Sequence, residues 1–406
     1  MAKAFAANCT GSLNTYNMQD PLPLPLAMLI IFGSAKLLGE LCERVGQPAI
    51  VGEILAGALV GPSVLGWVTP DITIKTLSDL GVIFLLFGVG LDVKAAELLK
   101  VGGKATLVAC VGVIVPFLAG WGILVAWGAP QVEAIFVGAS MVATSVGITA
   151  SVLSARGVLH EVASKVILAA AVIDDVLGLI VLAVVSSLAR GRVNIWDIAL
   201  TTSLASAFTV MTAIWGTTAV NHILPHFNSR AKADEAKFHI ALVFLFAMAF
   251  LAQYTGVAGI VGAFLAGLAF ADSADARLRT LTRGVSELLV PFFLAGIGLH
   301  LNLGVFQSRA TISLALIILV AAIVTKLVGC GIGAVALGWQ NMIKVGLGMV
   351  PRGEVGMVVA QIGLGMSVIS PEIYGVVVFM AVATTLVTPL LLKIAFRNTV
   401  PLAAVA

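Results

Sequence analysis

Two adjacent aspartates, Asp174 and Asp175, lie in the middle of a hydrophobic run from Ser164 to Ser187. A run of that length crosses a bilayer as a helix, which places both carboxylates near the midplane. A charge there costs about 3 kcal/mol on insertion scales, and intramembrane carboxylates mark ion pathways and proton relays. The remainder of the chain supports a membrane setting. Hydrophobic residues make up 60% of it, charged residues only 11%, and the mean hydropathy is +1.10. A water-soluble domain has no interior large enough for that much apolar surface. The net charge of +3 is too small to be a nucleic-acid footprint.

Thirteen hydrophobic segments are expected, near 24–43, 48–66, 77–91, 104–127, 131–154, 164–188, 197–223, 238–254, 256–271, 284–301, 310–337, 342–368 and 372–396. The third and ninth are short. At 406 residues these spans leave no room for a soluble regulatory domain. The basic residues test the count. With the N-terminus outside, fifteen of the 23 fall in inside loops and the C-terminal tail and five fall outside. The other three, Lys36, Lys326 and Arg352, lie within spans. The expectation is therefore an N-terminus outside and a C-terminus in the cytoplasm of a cell that carries the protein in its plasma (inner) membrane.

Residues 1–23 form a polar segment without the pattern of a cleaved signal peptide. Asn8-Cys9-Thr10 fits a glycosylation triplet that is common by chance. Cys9, Cys42, Cys110 and Cys330 form no C-x-x-C pair and read as free thiols. Trp67, Trp127, Trp196 and Trp339 fall near span ends, as an interfacial aromatic belt requires. His160, His222, His226, His239 and His300 sit near loops or span ends without metal-ligand spacing. Neither a phosphate-binding glycine loop nor a nucleophile–base constellation is present, so the expectation is not an enzyme.

The two halves of the chain echo each other. Gly52-Glu53-Ile54-Leu55-Ala56-Gly57 matches Gly262-Ala263-Phe264-Leu265-Ala266-Gly267 at an offset of 210. Gly88-Val89-Gly90-Leu91 matches Gly296-Ile297-Gly298-Leu299 at 208, and Ser145-Val146-Gly147-Ile148 parallels Glu354-Val355-Gly356-Met357 at 209. Collinear matches imply spans 1–6 duplicated as spans 8–13. Seven crossings separate the copies, so the second is inverted. Inverted repeats characterise secondary transporters, with the substrate site near the midplane. Glycines placed for close helix packing alone are the plainer reading.

Neighbouring helical residues point about 100° apart, so Asp174 and Asp175 cannot both face one cavity squarely. One lines an ion path while the other meets a partner, and Lys326 in span 11 is the candidate. A buried lysine keeps its proton beside a carboxylate and tends to lose it when unpaired. Two spans read as interrupted helices. Span 5 carries Ala143-Thr144-Ser145-Val146-Gly147-Ile148-Thr149, and span 12 carries Val350-Pro351-Arg352-Gly353-Glu354-Val355-Gly356. Pro351 removes a backbone donor, and irregular backbone at membrane depth survives only inside protein or beside a wet cavity. Arg352 and Glu354 read equally well as charges neutralising the broken helix ends. Glu53, toward the cytoplasmic end of span 2, reads equally as a solvated residue of a funnel and as a residue with a specific role.

On these motifs the chain resembles the monovalent cation/proton antiporter-2 family, closest to the NapA type. The residues that carry the resemblance are Val51 to Gly57, Val142 to Ala150, Ala171 to Gly178, Lys326 and Pro351 to Gly356. The resemblance implies an all-α membrane protein of 13 transmembrane helices with the NhaA-like antiporter fold, two inverted six-helix repeats plus a linker and two broken helices that cross. It implies a homodimer in the lipid bilayer. The dimerisation domain would comprise 24–103 and 238–301, the ion-carrying core 104–188 and 310–396, and the linker helix 197–223. It implies Asp175 as principal cation and proton carboxylate, Asp174 as an alternating partner of Lys326, and Thr144 and Ser145 beside the ion. Na+ would then be ligated by Asp175, Asp174 and Thr144. No cofactor is implied; Na+ or Li+ and H+ are the cargo, and the core moves like an elevator. The Asp-Asp pair with a lysine resembles electrogenic exchangers, whereas potassium-efflux relatives carry Gln-Asp there. K+/H+ exchange, a gated channel and a membrane ion sensor stay open on the residues alone. An organic-anion symporter shares a related plan, but no organic-substrate pocket is visible.

Overall fold

The computed structural model describes residues 22–189, 195–228, 236–397 and 399. The glycosylation triplet and Cys9 lie outside the described residues, as do Arg190, Arg192, Arg230 and Lys232 of the loop-charge argument. The described chain folds as fifteen α-helices. They are α1 (Leu24–Arg44), α2 (Ala49–Val60), α3 (Ile72–Leu91), α4 (Ala95–Ala126), α5 (Gln131–Ser140), α6 (Val146–Ala155), α7 (Val162–Ala189) and α8 (Ile195–Asn228). The series continues with α9 (Ala236–Tyr254), α10 (Gly259–Phe270), α11 (Ala276–Leu299), α12 (Arg309–Gly333), α13 (Trp339–Gly348), α14 (Glu354–Gly365) and α15 (Pro371–Ala395). Among the described residues nine helices are long and apolar enough to cross a membrane. The protein is a multi-pass helical membrane protein.

Local sequence explains where the helices begin. Asp71 accepts from the Ile74 amide at 2.8 Å, and Asp275 accepts from Leu278 at 2.8 Å. Ser308 and Ser370 do the same for α12 and α15. Each satisfies an amide that the first helical turn leaves without a partner. The Asp275 carboxyl, bonded by Lys237 at 2.7 Å and by that Leu278 amide, is held below the usual carboxylate range. The third span differs from expectation. It begins at Ile72 and runs 20 residues, while α2 is short at 12. Lys75, Thr76, Ser78 and Asp79 lower the hydropathy of the first turns of α3, which hides a helix that Asp71 caps. The short ninth segment is α10, also 12 residues.

The helices form two packed groups. In the first, α3 lies against α10 and α11, α2 crosses α11, and α1 and α9 flank α2 and α10. Glycines let these backbones touch. A Cβ on Gly57 would lie 1.8 Å from the Ala295 carbonyl oxygen, and one on Gly267 2.1 Å from that of Phe87. A Cβ on Gly90 would lie 2.3 Å from the Phe264 oxygen, and one on Gly298 2.1 Å from that of Ile54. Small residues at such crossings are how helices associate in lipid, where no hydrophobic force drives them together. In the second group α4 packs on α7 and α12, with α5, α6, α13, α14 and α15 around them. Cys42, Cys110 and Cys330 are free thiols, and Trp67, Trp127, Trp196 and Trp339 are exposed.

Candidate ion site at two interrupted helices

Both polar runs break their helices. The chain leaves α5 at Ser140 and re-enters as α6 at Val146; it leaves α13 at Gly348 and re-enters as α14 at Glu354. The two breaks meet. The Ser145 amide donates to the Pro351 carbonyl at 2.8 Å, the Thr149 hydroxyl to that of Gly348 at 2.7 Å, and the Thr144 hydroxyl to that of Met349 at 3.4 Å. These bonds use carbonyls that the end of α13 would otherwise bury without partners. Glycine is required at the contact. A Cβ on Gly353 would lie 2.7 Å from Ser145 Oγ, and one on Gly356 2.6 Å from the Ser140 oxygen.

Asp174 faces this crossing from α7. It accepts from the Thr144 amide at 2.9 Å and from Lys326 Nζ at 3.1 and 3.3 Å. Asp174 and Lys326 are both fully buried. Lys326 fits because α4 has no side chain opposite it. A Cβ on Gly112 would lie 3.5 Å from Nζ and 2.5 Å from Cys330 Sγ. Asp175, one position further round α7, is also buried.

Arg352 is fully buried in the second break. Its guanidinium donates to the carbonyls of Val142 at 3.2 Å, Ala143 at 3.4 Å and Ala322 at 3.3 Å. It therefore neutralises the negative end of α5 from within the partner break. Ser145 takes part through its backbone. Glu354 starts α14, and its side chain lies outside the described residues. Thr149, the last residue of the polar span-5 run, ties the breaks together. Sequence reasoning passed over Thr384 on α15, which accepts from the Arg352 amide at 3.1 Å. The signal for Thr384 was its position, 209 residues after Asp175 in an apolar helix. Glu53 departs from the solvated reading: it is 6% exposed and accepts from Lys36 at 2.9 Å.

Two clefts flank the site between the helix groups. One of ≈ 410 Å³ is lined by α1, α2, α3, α6 and α11, and includes Glu53, Lys36 and Ser151. The other, ≈ 260 Å³, is lined by α3, α10, α11 and α14, and includes Asp79, Gln361 and His300. Val82 and Phe293 press on α6 between them, 2.8 and 3.0 Å from where a Gly147 Cβ would stand.

Interrupted helices that cross beside buried carboxylates and an ammonium have the construction of a membrane ion transporter. The profile of the family "Sodium/hydrogen exchanger, transmembrane" matches residues 28–398. The chain is 32% identical over 375 residues to the Na(+)/H(+)-K(+) antiporter GerN of Bacillus cereus, covering 90% of this chain and 95% of that protein. It is 32% identical over 419 residues to the high-affinity Na(+)/H(+) antiporter NhaS3 of Synechocystis sp., covering 92% and 90%. In structure it resembles the sodium proton antiporter MjNhaP1 of Methanocaldococcus jannaschii, with a TM-score of 0.65 at 16% identity over 92% of this chain and 96% of that one. The chain belongs to the sodium/hydrogen exchanger family. The resemblance to monovalent cation/proton antiporters read from the motifs is borne out.

Proposed function

We propose that the protein is an electrogenic Na+(Li+)/H+ antiporter that exports sodium in exchange for protons. The observation that carries this reading is the fully buried Asp174–Lys326 pair beside Asp175, at the meeting of two helix breaks. A hard monovalent cation takes oxygen ligands, and Asp175, Asp174 and the oxygens of Thr144 can supply them. With Asp174 bonded to Lys326, Asp175 is the carboxylate assigned to the exchanging proton or cation. A cation that recruits Asp174 withdraws the one acceptor bonded to the Lys326 ammonium among the described residues, and the isolated ammonium releases its proton. One cation then exchanges for one proton from Asp175 and one from Lys326, which moves net charge.

Thirteen spans follow if each interrupted pair, α5 with α6 and α13 with α14, counts as one crossing. Two inverted repeats are supported by the glycine contacts. Gly57 on Ala295 and Gly267 on Phe87 are the same contact displaced by 210 and 208 residues, and so are Gly298 on Ile54 and Gly90 on Phe264. The two clefts on opposite sides of Gly147 support alternating access by an elevator-like shift of the core (104–188 and 310–396) against the scaffold (24–103 and 238–301), with 197–223 as linker. A homodimer in the plasma membrane, with the N-terminus outside, completes the reading. K+/H+ exchange is the second reading, because the relative GerN is named for both Na+ and K+.

The test is proton flux in proteoliposomes bearing a pH gradient, on addition of Na+, Li+ or K+. Flux evoked by Na+ and Li+ supports sodium exchange, a K+ response moves the substrate to the second reading, and no cation-dependent flux in folded protein sinks both. Lys326→Gln is expected to keep the protein folded while removing the dependence of transport on membrane voltage. Loss of assembled protein in that variant would make the lysine structural.

A further inference from the structure

Lys36 and Glu53 are buried or half-buried charges that this exchange scheme leaves unused. Lys36 stands well inside α1, and its Nζ donates to Glu53 Oε1 at 2.9 Å. The Glu53 side chain is only 8% exposed, the Lys36 side chain 48%. Both line the ≈ 410 Å³ cleft, as do Ser151 and Ser154 of α6, part of an interrupted helix. A third feature of the same cleft points to a ligand. Thr282 lines it, is 1% exposed, and has a hydroxyl oxygen with no hydrogen-bond partner. Buried hydroxyls nearly always have a partner, and this one has an acceptor and donor position that a cleft occupant can use.

A buried carboxylate needs a compensating positive charge. Lys36 supplies it now, and a monovalent cation supplies the same charge beside Glu53 while the displaced ammonium is solvated. The two halves of the pair differ in freedom. Glu53 is packed against α1, its Cγ 3.5 Å from where a Gly39 Cβ would lie. Lys36 carries its ammonium on a flexible four-carbon stem, half in the cleft, and can swing it into water at low cost. Lys326 has no such route, being fully buried. Of the other two carboxylates in the cleft, Asp92 is already bonded to Arg279 and Glu287 is exposed, which leaves Glu53 as the cleft's buried carboxylate with a displaceable partner.

We propose that Glu53 is a relay site for the transported monovalent cation on the face bearing the basic loops, with Lys36 as the tethered ion that the cation displaces. The proposal rests on cation/proton exchange at Asp175. It makes the cleft a selective entrance, because a cation must first compete with an ammonium.

The experiment is proton flux against Na+ concentration with the full chain, in vesicles of defined orientation. With Na+ on the basic-loop face, Glu53→Gln is expected to raise the apparent KM about tenfold, the loss of one charged hydrogen-bonding contact, with Vmax changed by less than about twofold. Lys36→Gln is expected to lower KM, the double variant to behave as Glu53→Gln, and Glu53→Asp to restore most of the affinity. With Na+ on the opposite face, KM is expected to stay at the wild-type value in every variant. An unchanged KM in Glu53→Gln overturns the proposal, as does an equal shift from both faces. If Glu53→Gln does not assemble, Lys36→Gln decides alone: a lowered KM supports the relay and an unchanged one overturns it. A wild-type protein without Asp175-dependent flux would sink the antiporter reading itself; wild-type flux with an unaltered Glu53→Gln sinks only the relay.

Discussion

Asp175→Asn is expected to reduce cation-dependent proton flux to that of protein-free vesicles while leaving the protein folded. Asparagine has no proton to exchange, and its neutral amide gives a cation no charge. Folding survives because the change removes a buried charge, and the pair that holds the crossing is on the neighbouring residue. Asp174→Asn is the informative contrast. It strips Lys326 of both its carboxylate contacts, and breaking a buried pair from one side costs about 3–5 kcal/mol unless the remaining group neutralises. Lys326 can neutralise by losing its proton, so Asp174→Asn is expected to lower the melting temperature modestly and to alter coupling. Flux and melting temperature measured on both variants separate the roles. Full exchange in Asp175→Asn would overturn the proposed chemistry, whatever Asp174→Asn does.

The parts of the site that were legible in the sequence are those where the bilayer forbids alternatives. Asp174 in a hydrophobic run needed a counter-charge, and Lys326 was the lysine deep in another run. Pro351 and Gly353 announced the second break; the first, at residues 141–145, had no proline and was signalled only by Thr144, Ser145 and Gly147. What stayed hidden depended on the third dimension. Nothing in the sequence says that Arg352 reaches the carbonyls of Val142 and Ala143, residues 210 and 209 positions away. Likewise Lys36 and Glu53 are 17 residues apart on different helices, and each alone reads as a tolerated charge. The extent of α3 was misjudged because hydropathy counts polar side chains and overlooks the Asp71 cap. Helix existence follows from composition, but helix ends follow from hydrogen bonds to particular atoms.

Gly57→Ala is expected to abolish assembly, although the change adds one methyl group. That methyl would stand 1.8 Å from the Ala295 oxygen, and a backbone carbonyl inside a helix cannot swing aside. The whole α2–α11 crossing must separate, opening contacts along both helices. Overpacking that side chains can absorb costs about 1–3 kcal/mol, and this obstacle allows no such relief. Gly122 on α4 is the control, since a Cβ there meets nothing within 4 Å. Gly122→Ala is expected to be neutral or to stabilise by up to about 1 kcal/mol through helix propensity. The yield of monodisperse protein in detergent, with its melting temperature, reads out both. Gly267→Ala, 2.1 Å from the Phe87 oxygen, is the counterpart under the inverted-repeat reading. If the scaffold is one unit used twice, Gly57→Ala and Gly267→Ala fail alike, because each closes the equivalent crossing in its own half. If one is tolerated, the halves have diverged in packing even where their sequences match. Tolerance of both would mean that these glycines do not hold the scaffold together, and the repeat would lose its main structural support.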